Sequence, residues 1–140
     1  MKLKTQTGTS IVEFAIVLPL VFLVFFGIVE FALMLFEKAV ITNASREGAR
    51  AGIVSRPPGE QLDETQIKAV VKNYCHPYKV NVTDGNIDVT WRPDPVANWP
   101  ELVVDVQYQY EFIGLPGFMT IPIGPIILRA YTVMKMENNP

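Results

Sequence analysis

The feature that most constrains this chain is a long apolar run near its N-terminus. Between Phe14 and Val29 no side chain is charged or able to form a hydrogen bond, and the apolar run resumes after Glu30 and ends at Phe36. As a helix, this stretch would be ~35 Å long, enough to cross a hydrocarbon core of ~30 Å with some tilt. The sequence therefore predicts one membrane-spanning helix.

A single carboxylate, Glu13, stands at the start of that run. An ionised carboxylate near hydrocarbon costs on the order of 2–3 kcal/mol, so Glu13 needs either the headgroup region or a cationic partner. A cut after Gly8 would leave the amine of Thr9 one helical turn before Glu13, where it would neutralise Glu13 of its own or of a neighbouring chain. Glu30, ~25 Å further along the axis, is predicted to be solvated at the opposite interface or to contact another chain.

Two stretches of the chain resemble a known family. They are Gly8-Thr9-Ser10-Ile11-Val12-Glu13-Phe14-Ala15-Ile16-Val17-Leu18-Pro19 and Ala44-Ser45-Arg46-Glu47-Gly48-Ala49-Arg50-Ala51. A glycine five residues before a glutamate, followed by an apolar helix, resembles the prepilin processing signal of type IV pilins and pseudopilins. The fuller pattern is similar to the TadE-like family of tight-adherence (Flp) pilus proteins.

The resemblance implies a use for the N-terminal segment. Residues 1–8 would be a leader that a prepilin peptidase removes between Gly8 and Thr9, and Glu13, Phe14 and Pro19 would act in assembly. Major pilins of that system usually carry Tyr after the glutamate, so Phe14 favours a minor pilin or pseudopilin. Pro19 removes one helical hydrogen bond. Either the bilayer helix simply tolerates it, or the stem bends there when it packs into a filament.

Two other interpretations of the N-terminus stay open. A cleaved secretory signal is disfavoured because the apolar run exceeds the usual length of about 7–15 residues and no A-x-A site follows it. A plain signal anchor explains the span but not Glu13. The cations also conflict with the resemblance: two lysines precede the span and four cations follow it closely, which by count would place the C-terminal side in the cytoplasm. These cations are Lys2 and Lys4 before the span, and Lys38, Arg46, Arg50 and Arg56 after it.

The helix is predicted to continue through residues 37–56, beyond the span at residues 9–36, because no proline occurs from Glu37 to Ser55. One face of this extension is built from small residues, which allow close approach of another backbone. That face is either a seam against the domain's own sheet or a contact with another chain or an assembly factor. The candidate stem-helix contacts are Arg46, Glu47, Gly48 and Arg50.

Residues 57–140 predict a small extracytoplasmic α+β domain of pilin-like layout. Asp63 and Gln66 have the spacing of a capping box, and an amphipathic helix follows that ends at Pro77. Asp84-Gly85 predicts a hairpin between a strand at 80–82 and another at 87–91.

Two further strands are predicted after that hairpin, at 104–112 and 126–136, so that about four antiparallel strands pack on the helices. In the first of these, alternation places Val104 and Val106 on a buried face and Asp105 and Gln107 on a wet face.

The segment from Ile113 to Pro125 is apolar but too rich in glycine and proline for regular structure. Its side chains either cover the domain's own core or meet a partner subunit or the bilayer surface. The candidate partner-contact residues are Leu115, Phe118 and Ile121.

Several function classes find no support in the sequence. The net charge of −2 argues against nucleic-acid binding. His76 is the single histidine, and the chain contains no catalytic or metal-binding motif, so neither an enzyme nor a metal or other cofactor is expected. Cys75 and His76 would be at most half of a metal site.

The leading hypothesis is a minor pilin or pseudopilin in the bacterial inner membrane, with its C-terminal domain extracytoplasmic, that functions in pilus assembly, adhesion or secretion. The resemblance implies other pilin subunits, a prepilin peptidase, an inner-membrane assembly platform and membrane lipid as partners. The alternative is a single-pass anchored module that binds a protein partner without forming a filament.

Overall fold

The computed structural model describes residues 6–54, 62–93, 100–113 and 124–136. The chain divides into two compact units, Met1–Met34 with Phe112–Gly124, and Leu35–Glu111 with Pro125–Pro140. The helices and strands are α1 (Gln6–Ile53), α2 (Glu64–Cys75), the 3₁₀ helices His76–Tyr78 and Asp84–Asn86, β1 (Ile87–Pro93), β2 (Pro100–Tyr110) and β3 (Ile126–Lys135). A long apolar helix followed by a small domain with a helix and an antiparallel sheet confirms the predicted α+β class.

The N-terminal part of α1 exposes large apolar side chains on every side. Such a helix requires burial in protein or lipid, because water solvates none of its faces well. The side chains that are at least half exposed include Ile11, Phe14, Ile16, Leu20, Phe22, Phe25, Ile28 and Phe31. This surface fits the predicted membrane span.

The C-terminal part of α1 is instead a core helix of the second unit. Ile41, Ala44 and Ala49 are fully buried there. A Cβ atom added to Gly48 would lie 2.5 Å from Cγ2 of Val71 on α2, and one added to Gly52 would overlap the side chain of Leu102 on β2. Of the two predicted uses of the small-residue face, the structure therefore displays the seam against its own domain.

The helix α2 begins as its sequence predicts. The Asp63 side chain accepts a hydrogen bond from the Gln66 backbone N–H at 2.7 Å, and the Gln66 side chain accepts one from the Asp63 N–H at 3.0 Å. This capping box satisfies two N–H groups that a helix start otherwise leaves without partners. The buried face of α2 consists of Ile67, Val71 and Cys75, which pack in the domain core.

Within the described residues, the sheet has three antiparallel strands in the order β1-β2-β3. Its register pairs Ile87 with Val106 and Val104 with Thr132. The predicted strand at 80–82 is wrong, and so is the hairpin at Asp84-Gly85. Val80 and Val82 are buried as their alternation predicts, but they lie outside the sheet.

A local hydrogen-bond network explains the absence of that hairpin. The Thr83 N–H donates to the Asn86 side-chain oxygen at 3.1 Å, and the Thr83 hydroxyl lies 2.6 Å from the same oxygen. These bonds close Asp84–Asn86 into a 3₁₀ helix. Because the chain is held in this turn, β1 pairs with β2 rather than with the residues that precede it.

The central strand β2 departs from the predicted wet face at one position. Gln107 is exposed as predicted, but Asp105 is only 5% exposed. Arg129 on β3 covers this carboxylate with hydrogen bonds of 2.9 Å from Nε and 2.6 Å from Nη2. A charge-assisted pair of this kind offsets the cost of removing a carboxylate from water.

Candidate functional site

The predicted processing and assembly residues lie on one continuous helix. Gly8 is exposed on α1, and no atom of the described residues lies within 4 Å of the position that its Cβ would occupy. Thr9 belongs to the same helix, one turn before Glu13. An amine at residue 9 would therefore lie one helical turn before Glu13, at a distance of ~6 Å along the helix axis.

Glu13 is exposed and surrounded along the helix by apolar side chains. Ile11, Phe14 and Ile16 are each more than 60% exposed. Among the residues whose side chains the structure describes, none forms an ion pair or a hydrogen bond with the Glu13 carboxylate. The carboxylate thus stands on an apolar surface with its bonding capacity available to a partner.

Pro19 lies inside α1, six residues after Glu13, and is exposed. Because proline has no N–H, the carbonyl of Ala15 lacks its usual partner four residues ahead. Phe14 is exposed beside Glu13. The structure thus places Glu13, Phe14 and Pro19 within two helical turns on the surface of the apolar segment.

Glu30 differs from Glu13 in its surroundings. The predicted solvated carboxylate is only 3% exposed. Its Oε1 atom accepts a hydrogen bond of 2.6 Å from the backbone N–H of Ile113, in the same compact unit. Sequence reasoning missed this contact because it joins residues that are far apart in the chain, and no local pattern signals it.

The candidate stem-helix contacts divide between two sides of α1. Gly48 is buried against α2, whereas Arg46 and Arg50 are exposed. Arg50 donates to Glu47 from Nε at 3.0 Å and from Nη2 at 2.6 Å. This i,i+3 pair is exposed, and solvent screening makes its contribution to helix stability small. Arg46 and the Glu47–Arg50 pair remain accessible to a partner.

Ser45 is a buried residue whose role the sequence did not predict. Its hydroxyl lies 2.9 Å from the Val104 carbonyl oxygen and 2.8 Å from the Thr132 hydroxyl. Since a carbonyl oxygen only accepts, Ser45 donates to Val104 and accepts from Thr132. These bonds join α1 to the central strand β2 and to the edge strand β3.

Cys75 and His76 are neighbours in the chain but differ in burial. Cys75 is fully buried, and the loss of solvation raises the pKa of its thiol to about 11. His76 is exposed. Over the described ranges, no group of three or more His, Cys, Asp or Glu side chains lies close enough together to hold a metal ion.

The candidate partner-contact residues Leu115, Phe118 and Ile121 lie outside the described residues.

Within the described chain, one helix is long and apolar enough to cross a membrane, the one that contains Glu13. Its mean hydropathy reaches 2.7 over the most apolar stretch. These properties are consistent with a single membrane anchor.

Comparison with known proteins bears on the N-terminal segment. No curated protein and no solved structure matches the chain. The model of a family described as TadE-like protein matches residues 8–50, which include the glycine of the predicted processing site, Glu13 and the second motif from Ala44 to Arg50. This segment of the chain is therefore TadE-like, which confirms the resemblance predicted from its two motifs.

Proposed function

We propose that this protein is a minor pilin or pseudopilin of a Tad-like pilus or secretion apparatus. It would be inserted in the bacterial inner membrane through α1, with the α+β domain on the extracytoplasmic side. A prepilin peptidase would cut between Gly8 and Thr9, and an assembly platform would then place the mature chain in a filament. A role in adhesion would follow from that location.

The observation that carries this proposal is the state of Glu13. Its carboxylate lies at the start of a helical surface of exposed apolar side chains and has no described partner in its own chain. In a bundle of such helices the carboxylate would lose water, and an unpaired buried charge is strongly unfavourable. The ammonium group of a mature N-terminus at Thr9 would supply the missing charge.

The pairing also gives a reason for correct register in a filament. A stem that slides along its neighbours would bury Glu13 without a cation and would be disfavoured by several kcal/mol. The apolar remainder of α1 supplies lateral packing but little axial specificity, because most of its exposed side chains are chemically alike. The charge would therefore set the register and the apolar surface would supply the contact area.

We test this role with Glu13→Ala. The variant is expected to insert in the membrane and to be processed normally, while the amount of this subunit recovered in sheared filaments falls at least tenfold. Quantitative immunoblotting of membrane and filament fractions measures both amounts. Val12→Ala is the matched control, because it shortens an exposed apolar side chain on the neighbouring position without removing a charge.

Normal incorporation of Glu13→Ala would contradict the pairing, as would an equal loss for Val12→Ala. Glu13→Asp, which keeps the charge on a shorter side chain, is expected to recover part of the incorporation.

The alternative is a single-pass anchored module that binds a protein through its sheet or its 113–125 segment. N-terminal sequencing of the protein from membranes separates the two functions. A mature chain that begins at Thr9 supports the pilin, whereas a chain that still begins at Met1 in cells with working filaments supports the anchored module.

A further inference from the structure

The C-terminal end of the apolar run contacts the short 3₁₀ helix that follows α2. The rings of Phe36 and Tyr78 meet edge to face with centroids 6.1 Å apart, and Tyr74 lies 5.9 Å from Tyr78. These three rings belong to the same compact unit. Phe36 is the last residue of the apolar run, so Tyr78 lies beside the predicted end of the membrane span. Tyrosine is enriched at that level of membrane proteins because its ring is apolar and its hydroxyl is polar.

A cleft of about 690 Å³ opens beside this 3₁₀ helix. Its rim carries three basic side chains and one amide, and its walls include two buried valines. The rim residues are Lys72, His76, Lys79 and Asn81, and the valines are Val80 and Val82. A polar rim over an apolar wall suits an amphiphilic ligand, and the volume lies in the range of small-molecule sites.

The charges on the rim leave a positive surplus. Lys72 forms an ion pair of 2.7 Å with Asp84. In the part of the chain that the structure describes, no carboxylate pairs with the side chains of Lys79 or His76. The C-terminal carbonyl groups of α2 also favour cations here, but they amount to only about half an elementary charge. Lys79 has a left-handed backbone, with φ of 59°, and is exposed, so its ammonium group is accessible.

We propose that this cleft binds the phosphate of an anionic phospholipid headgroup. The lipid belongs to the leaflet that surrounds the C-terminal end of the spanning segment. Lys79 and His76 contact the phosphate, Asn81 donates a hydrogen bond, and Val80 and Val82 face the glycerol region. His76 and Pro77 line the cleft and belong to the same 3₁₀ helix as Tyr78, whose ring contacts Phe36 at the end of the apolar run. This proximity to the predicted membrane span selects a membrane lipid as the ligand. The site requires the folded domain and membrane insertion of α1 but no filament, so it is independent of filament assembly.

The first test measures lipid retention by the full chain. The protein is purified in detergent with equal amounts of phosphatidylglycerol and phosphatidylcholine, and native mass spectrometry counts the lipids retained. Phosphatidylglycerol is expected to dominate on the wild-type chain. Lys79→Asn, which removes the charge with a residue that tolerates a left-handed backbone, is expected to lower its retention about fivefold, the effect of one cation near an anionic surface.

The matched control is Lys68→Gln. Lys68 lies on α2 and forms an ion pair of 2.6 Å with Glu64, and it does not line the cleft. The Lys68→Gln chain is expected to retain as much phosphatidylglycerol as the wild-type chain. Unchanged retention in Lys79→Asn, or an equal fall in Lys68→Gln, would overturn the proposal. His76→Gln provides a second variant at the rim and is expected to show a smaller fall in the same direction.

The second test uses the single histidine of the chain as a local reporter. Its imidazole NMR signals require no assignment by mutagenesis. Short-chain phosphatidylglycerol added to the full chain in detergent is expected to shift these signals, and phosphatidylcholine is not. Inorganic phosphate at the same concentration is expected to leave them unchanged. An equal shift with inorganic phosphate would show that the cleft binds a free anion and would overturn the proposal of a lipid ligand.

Discussion

Two glycines of α1 determine how closely the rest of the domain approaches this helix. A Cβ atom at Gly48 would meet Cγ2 of Val71 at 2.5 Å, and at Gly52 the side chain of Leu102 occupies the space. Glycine costs ~1 kcal/mol relative to alanine in a helix. Its presence at two buried positions of one helix face is therefore explained by the contact and not by helix formation.

Gly48→Ala is expected to destabilise the domain by about 1–2 kcal/mol. The overlap with Val71 outweighs the gain in helix propensity, because overpacking in a tight core costs about 1–3 kcal/mol. Thermal unfolding of the full chain in detergent, followed by near-ultraviolet circular dichroism, measures the change. Gly27→Ala is the matched control, since in the described part of the chain no atom lies within 4 Å of its Cβ position. A Gly48→Ala chain as stable as the Gly27→Ala chain would contradict the close contact.

At the level of the helices and strands, the stability of the sheet depends on the buried carboxylate of Asp105. Asp105 on the central strand accepts hydrogen bonds from Arg129 on β3 and stands opposite Asp88 on β1. Hydrogen bonds and the positive charge of Arg129 hold the pKa of Asp105 below its ordinary value of 3.8. A carboxyl group with a lowered pKa in the folded state stabilises that state at pH values above its ordinary pKa.

This stabilisation is present in full above pH ~4 and is lost as the pH falls through the lowered pKa of Asp105. Asp105→Asn is expected to reduce stability at neutral pH by about 1 kcal/mol, a value discounted because Arg129 is largely exposed. Its melting temperature is expected to fall less steeply below pH 4 than that of the wild-type chain. Unfolding midpoints measured from pH 7 to pH 2 give both quantities.

Asp88→Asn is the control for that measurement, because Asp88 is the exposed carboxylate directly opposite Asp105. It is expected to be neutral or slightly stabilising, since it relieves a cross-strand repulsion. An acid dependence that is the same in Asp105→Asn and in the wild-type chain would assign the effect to other groups.

The helices and strands also differ in how well the residues within them predict their structure. The start of α2 follows from Asp63 and Gln66, which bond to each other within one turn. The 3₁₀ helix at Asp84–Asn86 depends on an equally local pair, Thr83 and Asn86, but the turn preference of Asp84-Gly85 suggested a hairpin. That preference was outweighed because the residues before the turn had no strand partner, while β2 supplied one for β1.

At the scale of the whole molecule, the distribution of cations bears on the orientation of the chain across the membrane. The larger number of cations after the span would place the domain in the cytoplasm. However, Arg46 and Arg50 belong to the folded second unit and not to a flexible loop. Folded domains cross the membrane largely regardless of their charge, so the TadE-like segment and not the cation count is expected to decide the orientation.

A fusion of alkaline phosphatase after Pro140 is therefore expected to be active, and a fusion of a cytoplasm-dependent fluorescent protein at the same position is expected to be dark. Enzyme activity and fluorescence of cells measure the two results. A bright fluorescent fusion with an inactive phosphatase would place the domain in the cytoplasm and contradict the proposed function.

Residues that are neighbours in the chain were sufficient to specify a helix long and apolar enough to span a membrane, the TadE-like segment with Gly8 and Glu13, the capping box of α2 and the α+β class. Hydropathy, spacing and local hydrogen bonds act directly over such short separations. The number of strands, the burial of Glu30 and Asp105, the bonds of Ser45 and the cleft beside Tyr78 became evident from the folded chain alone. These features depend on side chains brought together from distant positions, whose contacts exist only once the chain has folded.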